Sequence, residues 1–573
     1  MTVKKYLAAA GLIIATFAGA VMFGRSANAT PAKEKKPDLT QANYYGVAAC
    51  NKCHDQISDG KPGRWPTDFV RMDEFITWQT KDRHALAYLV LEGPRGQQIG
   101  KMLAIDVTKE PQCLNCHSTT SRQDRKGPDF SYREGVSCDG CHGPAQHWFA
   151  DHFLPQKNWR LKTPEEKEEL GMYDLRNPTK RAQLCVSCHV GSASEGKVIT
   201  HAMYAAGHPP LPSFEVASFS KNLPPHWDDL KNIDFFKKAG AKVKKQNYGD
   251  DAEFQHTKLV LATCVESTRS MMDLLGNRAT LEGKPPEKRH AWPPIWLQPQ
   301  AKNAPHDRWP ELPAGTKFKA EELPSLWPEI AMAQSDCIAC HHDLKSPSWR
   351  QLRGYAGRPG RPQFQPWPFA LASIGWQNSD DEKEFHGKLK KLTSAFDARP
   401  FGVPEEVAAA AQGLELHTVK MLKPTTTVTR ETAKKLLAQL LAKASAKLVD
   451  YDSARQLAGA TRIIFAEWKT TPPNEKAIAE IFIKLDNELY LTLESEERKN
   501  FASQRYALTR DLAKPGTDIA AKVKVAGFLA ALQKISDEEL AASLMRSSEY
   551  DPALFKRRMG ELSELIFENG AKK

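Results

Sequence analysis

Beyond its first two dozen residues the chain lacks any apolar run long enough to span a bilayer. It also lacks the composition of a collagen or a disordered protein, since 34 Gly and 38 Pro stand among 573 residues that are 41% hydrophobic. Cysteine is scarce: 11 residues, an odd number, all between positions 50 and 340. An odd count first suggests disulfides with one spare thiol, a reading that the spacing of the cysteines overturns.

The exception to the missing apolar runs is the N-terminus. Lys4 and Lys5 precede an uncharged stretch over 6–24, and Ala27-Asn28-Ala29 follows as a small-residue cleavage pattern. Residues 1–29 are therefore expected to be a secretory signal peptide, which makes the mature protein periplasmic and without a membrane span. An uncleaved stretch would anchor it instead, but its abundant Ala and Gly drive insertion weakly.

Ten of the 11 cysteines fall in five copies of Cys-x-x-Cys-His. They are Cys50 and Cys53 with His54, Cys113 and Cys116 with His117, Cys138 and Cys141 with His142, Cys185 and Cys188 with His189, and Cys337 and Cys340 with His341. Chance placement predicts on the order of 0.006 such motifs in a chain of this composition. Zinc would need paired Cys-x-x-Cys units closing four-ligand sites, and the fixed trailing histidine has no part in that scheme. The spacing suits a haem instead: two cysteines bond its vinyl groups and the next imidazole ligates its iron. Five covalently bound haem c groups are expected, with the ten cysteines as attachment residues and the five histidines as proximal ligands.

The formal charge of +11 would suggest nucleic acid or an anionic surface, but Lys4, Lys5 and Arg25 leave with the signal. Five haems would bring about ten propionate charges, partly offset by ferric iron, so no nucleic-acid role is expected.

Twelve histidines lie outside the motifs, and at most five are needed as sixth ligands. His84 sits in a stretch, 73–88, with apolar residues at helical spacing, and is expected to project from a helix to an iron. His201 and His208, if helical, share a face about 10 Å apart, suiting two neighbouring haems; Gly207 and Pro209 would end that helix. His147 follows a Gly-Pro turn that aims it at an adjacent haem, and is preferred over its competitor His152. His342 directly follows the fifth proximal histidine and cannot reach the far face. His386, His417 or an interdomain histidine remain for the fifth haem.

The expected fold is mainly α with little sheet, much of the core being porphyrin. A linker over 30–44 precedes a pentahaem domain over 45–345, then a linker and loop region over 346–402 and a helical C-terminal domain over 403–573. Within the haem domain, Thr163, Pro164 and Glu166 form a capping box with Gly171 as the stop. A helical stretch near 252–275 holds Cys264, expected to be a buried inert thiol, and a Pro/Trp-rich loop covers 285–328. In the C-terminal domain Leu436, Leu437, Leu440, Leu441, Ala444 and Leu448 form one stripe and Ile478, Ile481, Phe482 and Leu485 another, with a capping box at 536–539. Such stripes are expected to pack into a bundle, with the haem domain or a second subunit as other partners.

Residues 45–216 resemble the tetrahaem cytochrome c-554 family, a group with hydroxylamine oxidoreductase and pentahaem nitrite reductase among its wider relatives. The resemblance rests on Gly135-Val136-Ser137-Cys138-Asp139-Gly140-Cys141-His142-Gly143-Pro144, on the spacing of the first four motifs, and on HAMYAAGHPPLPSFE over 201–215. It implies closely packed haem pairs and electron transfer, with an open iron on His117 and, from the related reductases, a homodimer through C-terminal helices. The leading reading is a periplasmic carrier passing electrons between respiratory redox proteins. The alternative is a multihaem reductase or oxidoreductase acting on a small nitrogen or sulfur species at one open haem. A nitrite-reducing relative uses Lys at its catalytic motif, whereas all five motifs here end in His.

Overall fold

A reciprocal pair of hydrogen bonds starts one short helix where its sequence predicts it. Thr163 accepts from the Glu166 amide at 3.2 Å and Glu166 accepts from the Thr163 amide at 2.6 Å, with Pro164 in the first turn. The chain turns away at Gly171, whose φ is +98°.

A computed structural model describes residues 36–55, 57–58, 61–62, 71–215, 219, 223–227, 254–282, 364–376, 379–398, 402–421, 428–469, 474–491 and 519–568. The expected signal peptide, the fifth motif with Cys337, Cys340 and His341, the loop over 285–328, and His290, His306 and His342 lie outside them. The described residues from 39 onward form one compact unit. Among the described residues the fold is mainly α, and the one ladder is the antiparallel pair Ile57–Ser58 with Lys61–Pro62.

The first four motifs sit among short helices: α1 (Val47–His54), α2 (Glu74–Lys81), α3 (Leu89–Glu92), α4 (Pro94–Leu103), α5 (Pro111–His117), α6 (Cys138–His142), α7 (Pro164–Glu168), α8 (Pro178–His189) and α9 (His201–Ala205). Side-chain cores here are small: Val47, Phe75, Trp78 and Ala85 make one, and Leu91, Leu103, Leu114 and Met203 belong to another. The helix expected around His84 stops at Lys81. The Asp82 side chain accepts from the His84 amide at 3.0 Å and starts a tight turn over Arg83–Leu86 instead. Gly135, at φ +68°, lets the chain before the third motif cross that turn. A Cβ there would stand 2.5 Å from the His84 carbonyl oxygen, to which Val136 donates at 3.0 Å. The α9 helix is shorter than expected, because the chain turns at Gly207 (φ +112°) and the His208 amide bonds back to Met203 at 3.0 Å.

The remaining helices among the described residues are α10 (Gln255–Glu282), α11 (Ser379–Ala398), α12 (Pro404–Thr418), α13 (Arg430–Ala446), α14 (Tyr451–Trp468), α15 (Glu475–Leu489), α16 (Ile519–Glu549) and α17 (Pro552–Ser563). The leucine stripe of α13 and the Ile/Phe stripe of α15 are buried in one continuous core with α10, α12, α14 and α17. Leu448 falls outside its stripe because α13 ends at Ala446. The expected start at Ser536 is absent: α16 runs through it, and the Ser536 hydroxyl donates to the Leu532 carbonyl one turn back at 2.9 Å. Cys264 is buried in α10, and burial pushes its thiol up to about 12.

These helices also grip the motif region. α10 packs on α8, and Phe528 and Leu529 of α16 cluster with Leu86 and Leu89. Arg83 pairs with Glu539 at 3.0 Å and Arg95 with Asp537.

Candidate haem centres

Helices α1, α5, α6 and α8 each end on a motif histidine, so His54, His117, His142 and His189 stand at helix C-termini with their cysteine pairs in the preceding turn. The nine cysteines among the described residues are free of disulfides.

Each of these four imidazoles faces a second one. His54 stands opposite His152 with ring centres 6.4 Å apart, His84 opposite His189 at 6.2 Å, His117 opposite His208 at 6.3 Å, and His142 opposite His226 at 6.4 Å. That spacing is wide for ring-on-ring contact. It matches one metal ion between two imidazoles, each bonded through a nitrogen at about 2 Å.

Six of the eight rings are held through Nδ1, which leaves Nε2 for a metal. His54 Nδ1 meets Glu74 at 2.9 Å, His84 meets Asp82 at 2.9 Å, and His117 meets the Ala87 carbonyl at 2.6 Å. His208 meets the Pro209 carbonyl at 2.7 Å, His226 the Pro224 carbonyl at 3.4 Å, and His152 the Phe149 carbonyl. An acceptor on the second ring nitrogen fixes tautomer and orientation and raises the basicity of the ligating nitrogen. Burial pushes His142 and His208 down to about 4 and His189 to about 3, keeping them neutral. At His84 burial also opposes charge, but the Asp82 carboxylate outweighs it and the pKa is raised.

The sites lie close to one another. Cys138 has Cys50 as an electrostatic neighbour and Cys116 has Cys188, while Cys141 lies near Cys185 and Cys188. In space the motifs therefore follow the order first, third, fourth, second.

Of the non-motif histidines singled out in the sequence, His84 and His208 stand opposite motif imidazoles. His147 is half-buried on the turn Ala145–His147, and among the described ring pairs no motif imidazole faces it; five residues on, His152 has that place. His201 opens α9, where Thr200 caps the helix by accepting from Met203. His226 is a partner that sequence reasoning passed over; its signal is the rigid Pro224-Pro225 pair before it. The expectation of an open iron on His117 meets His208 across the gap. His386 pairs with Glu382 on α11, and His417 is buried between the Asp381 carbonyl and Glu384.

Residues 49–143 match the family model described as cytochrome c554 and c-prime, which takes in the first three motifs. No curated protein and no solved structure matches the chain. Two cysteines and a histidine per helix end, with a second imidazole at metal-bridging distance, fit the covalent haem c of such proteins. Over residues 49–143 the chain is similar to the cytochrome c554 family, whose members are multihaem c-type cytochromes.

Proposed function

We propose that the protein is a periplasmic pentahaem cytochrome that passes single electrons between respiratory redox proteins. The observation that carries this reading is the second imidazole facing each of the four described motif histidines. Haem c, when bound, supplies a one-electron carrier of low potential if both axial ligands are imidazoles. The chain's own residues do the rest. The ten motif cysteines anchor five rings, and His54, His117, His142, His189 and His341 ligate from one side. On the other side His152, His208, His226 and His84 serve the first four motifs. His386 and His417, two of the histidines expected for the fifth, are engaged within the C-terminal helices. The Asp82 and Glu74 carboxylates hold imidazoles in register, and the proximity of cysteines from different motifs suits transfer along the order first, third, fourth, second.

Mass spectrometry of material matured in a cell competent for haem attachment should show five added haems and loss of residues 1–29. Ferric EPR should show low-spin iron only, with no uptake of carbon monoxide by the reduced protein. Fewer than five haems would break the count. A high-spin haem that binds gas would favour a reductase acting on a small nitrogen or sulfur species.

A further inference from the structure

One buried ion pair joins the C-terminal helices to the segment beside the fourth motif. Glu215 and Arg455 side chains are 0% and 4% exposed, and Arg455 donates to Glu215 at 2.6 Å. Glu215 directly follows Phe214, whose ring lies nearly flat over that of His189 with centres 5.0 Å apart at 24°. Arg455 comes from the second turn of α14, beside buried Ala454, Gln456 and Leu457.

A buried pair of this kind is weak evidence for stability, since desolvating both charges offsets their attraction. Its surroundings also hold polar atoms beyond what the pair uses. The second Glu215 oxygen, Arg455 Nε, Gln456 Nε2 and Ser213 Oγ are all buried without a hydrogen-bond partner. Low dielectric and missing water make such a place one where a fixed charge acts at long range.

We infer that Arg455 and Glu215 are positioning residues of the fourth haem site, through which the C-terminal helices hold Phe214 against His189 and set the reduction potential there. The inference rests on the reading that His84 and His189 ligate one iron. Reduction removes one positive charge from the iron, so any unbalanced charge nearby biases it. With both partners present the charges balance.

Spectroelectrochemical titration of the full-length holoprotein tests this. In E215Q the guanidinium stays protonated and unbalanced. It should favour the reduced state of one haem on the order of tenfold, equal to 59 mV for a single electron, and leave the other transitions in place. R455M, which leaves the Glu215 carboxylate as the unbalanced charge, should move the same transition the opposite way. The double variant R455M/E215Q, neutral at both positions, should return within about twofold of the parent. A merely structural contact would alter thermal unfolding in all three and leave the potentials alone. If the variants keep their haem content and low-spin spectra while every transition stays within twofold of the parent, the inference falls and the haem reading stands. Loss of haem, or of low-spin iron in the parent protein, would instead defeat that reading before any potential is compared.

Discussion

The first and fourth sites use the same five-residue motif in opposite surroundings. At the first, the His54 and His152 planes are nearly parallel, at 15°, and the neighbouring Phe153 is 55% exposed. At the fourth, the His84 and His189 planes are nearly perpendicular, at 87°, with Phe214 and Phe219 packed on His189. The motif fixes where a haem is attached. What surrounds the second imidazole fixes how that haem behaves, and that part comes from distant chain segments. The carboxyl groups differ in the same way: Glu215 beside the fourth site is paired with Arg455, whereas Glu134 beside the first has backbone amides and another carboxyl for neighbours.

Removing the second imidazole should have the largest effect. His84→Ala and His152→Ala should each convert one low-spin haem to a high-spin one that binds carbon monoxide when reduced. A variant whose ferric EPR stays entirely low-spin would assign that ligand elsewhere. The parent spectrum tests the ring angles as well. Parallel imidazoles split the iron dπ orbitals and give a rhombic signal, whereas perpendicular ones leave them nearly degenerate and give a single strongly anisotropic feature. One rhombic signal is expected from the first site. Three anisotropic ones are expected from the sites at 87°, 77° and 74°. More than two rhombic signals among the five haems would remove the contrast.

Packing separates the two sites by a smaller amount. Phe214 is 5% exposed and sits in a cluster with Val186, Val190, Val198, Leu274 and Trp367. Phe214→Ala should cost about 3–5 kcal/mol in denaturant unfolding of the holoprotein, through lost burial and a residual cavity. Phe153→Ala, at the open end, should stay within about 0.5 kcal/mol. Similar costs for the two would mean that the first site is covered in solution.

The two halves of each site were not equally legible in the sequence. Attachment demands three residue types within five positions, so the proximal side stands out against chance. The opposite imidazole has no such local rule. His84 was singled out for a helical pattern, yet it rides on a turn that Asp82 starts. His152 and His226 reach their places through tertiary packing, and only the rigid prolines before His226 hint at it. The α13 and α15 stripes were plain because a 3.6-residue period survives burial of one face. The role of α10 was hidden for the converse reason. It is buried on several faces, between α8 and the C-terminal helices, so its sequence shows no single stripe that assigns it to one partner.

The unpaired carboxyl at the first site gives the smallest and most localised contrast. Glu134 accepts from the Val47 amide at 3.0 Å and Asp139 from the Gly46 amide at 2.8 Å, so the two carboxyls together hold the start of α1, the helix that ends on His54. Burial, with Asp139 adding to it, raises Glu134 from 4.5 to about 7. The folded protein then binds the proton more tightly than the unfolded chain. Stability therefore falls as pH rises from about 4.5 to 7, with the loss complete above that window and absent below it. The full shift is worth about 3 kcal/mol. Gln keeps the acceptor for Val47 and removes the titration. The unfolding free energy of E134Q minus that of the parent should thus be about 3 kcal/mol larger at pH 8 than at pH 4.5, an advantage for the variant. Taking the difference between the two proteins cancels the titrating groups that do not interact with Glu134; Asp139, raised to about 6 by burial, loses the repulsion of a neighbouring carboxylate in the variant. An E134Q advantage that is the same at both pH values would show that Glu134 ionises freely, and that the helix carrying the first motif is open to water at its start.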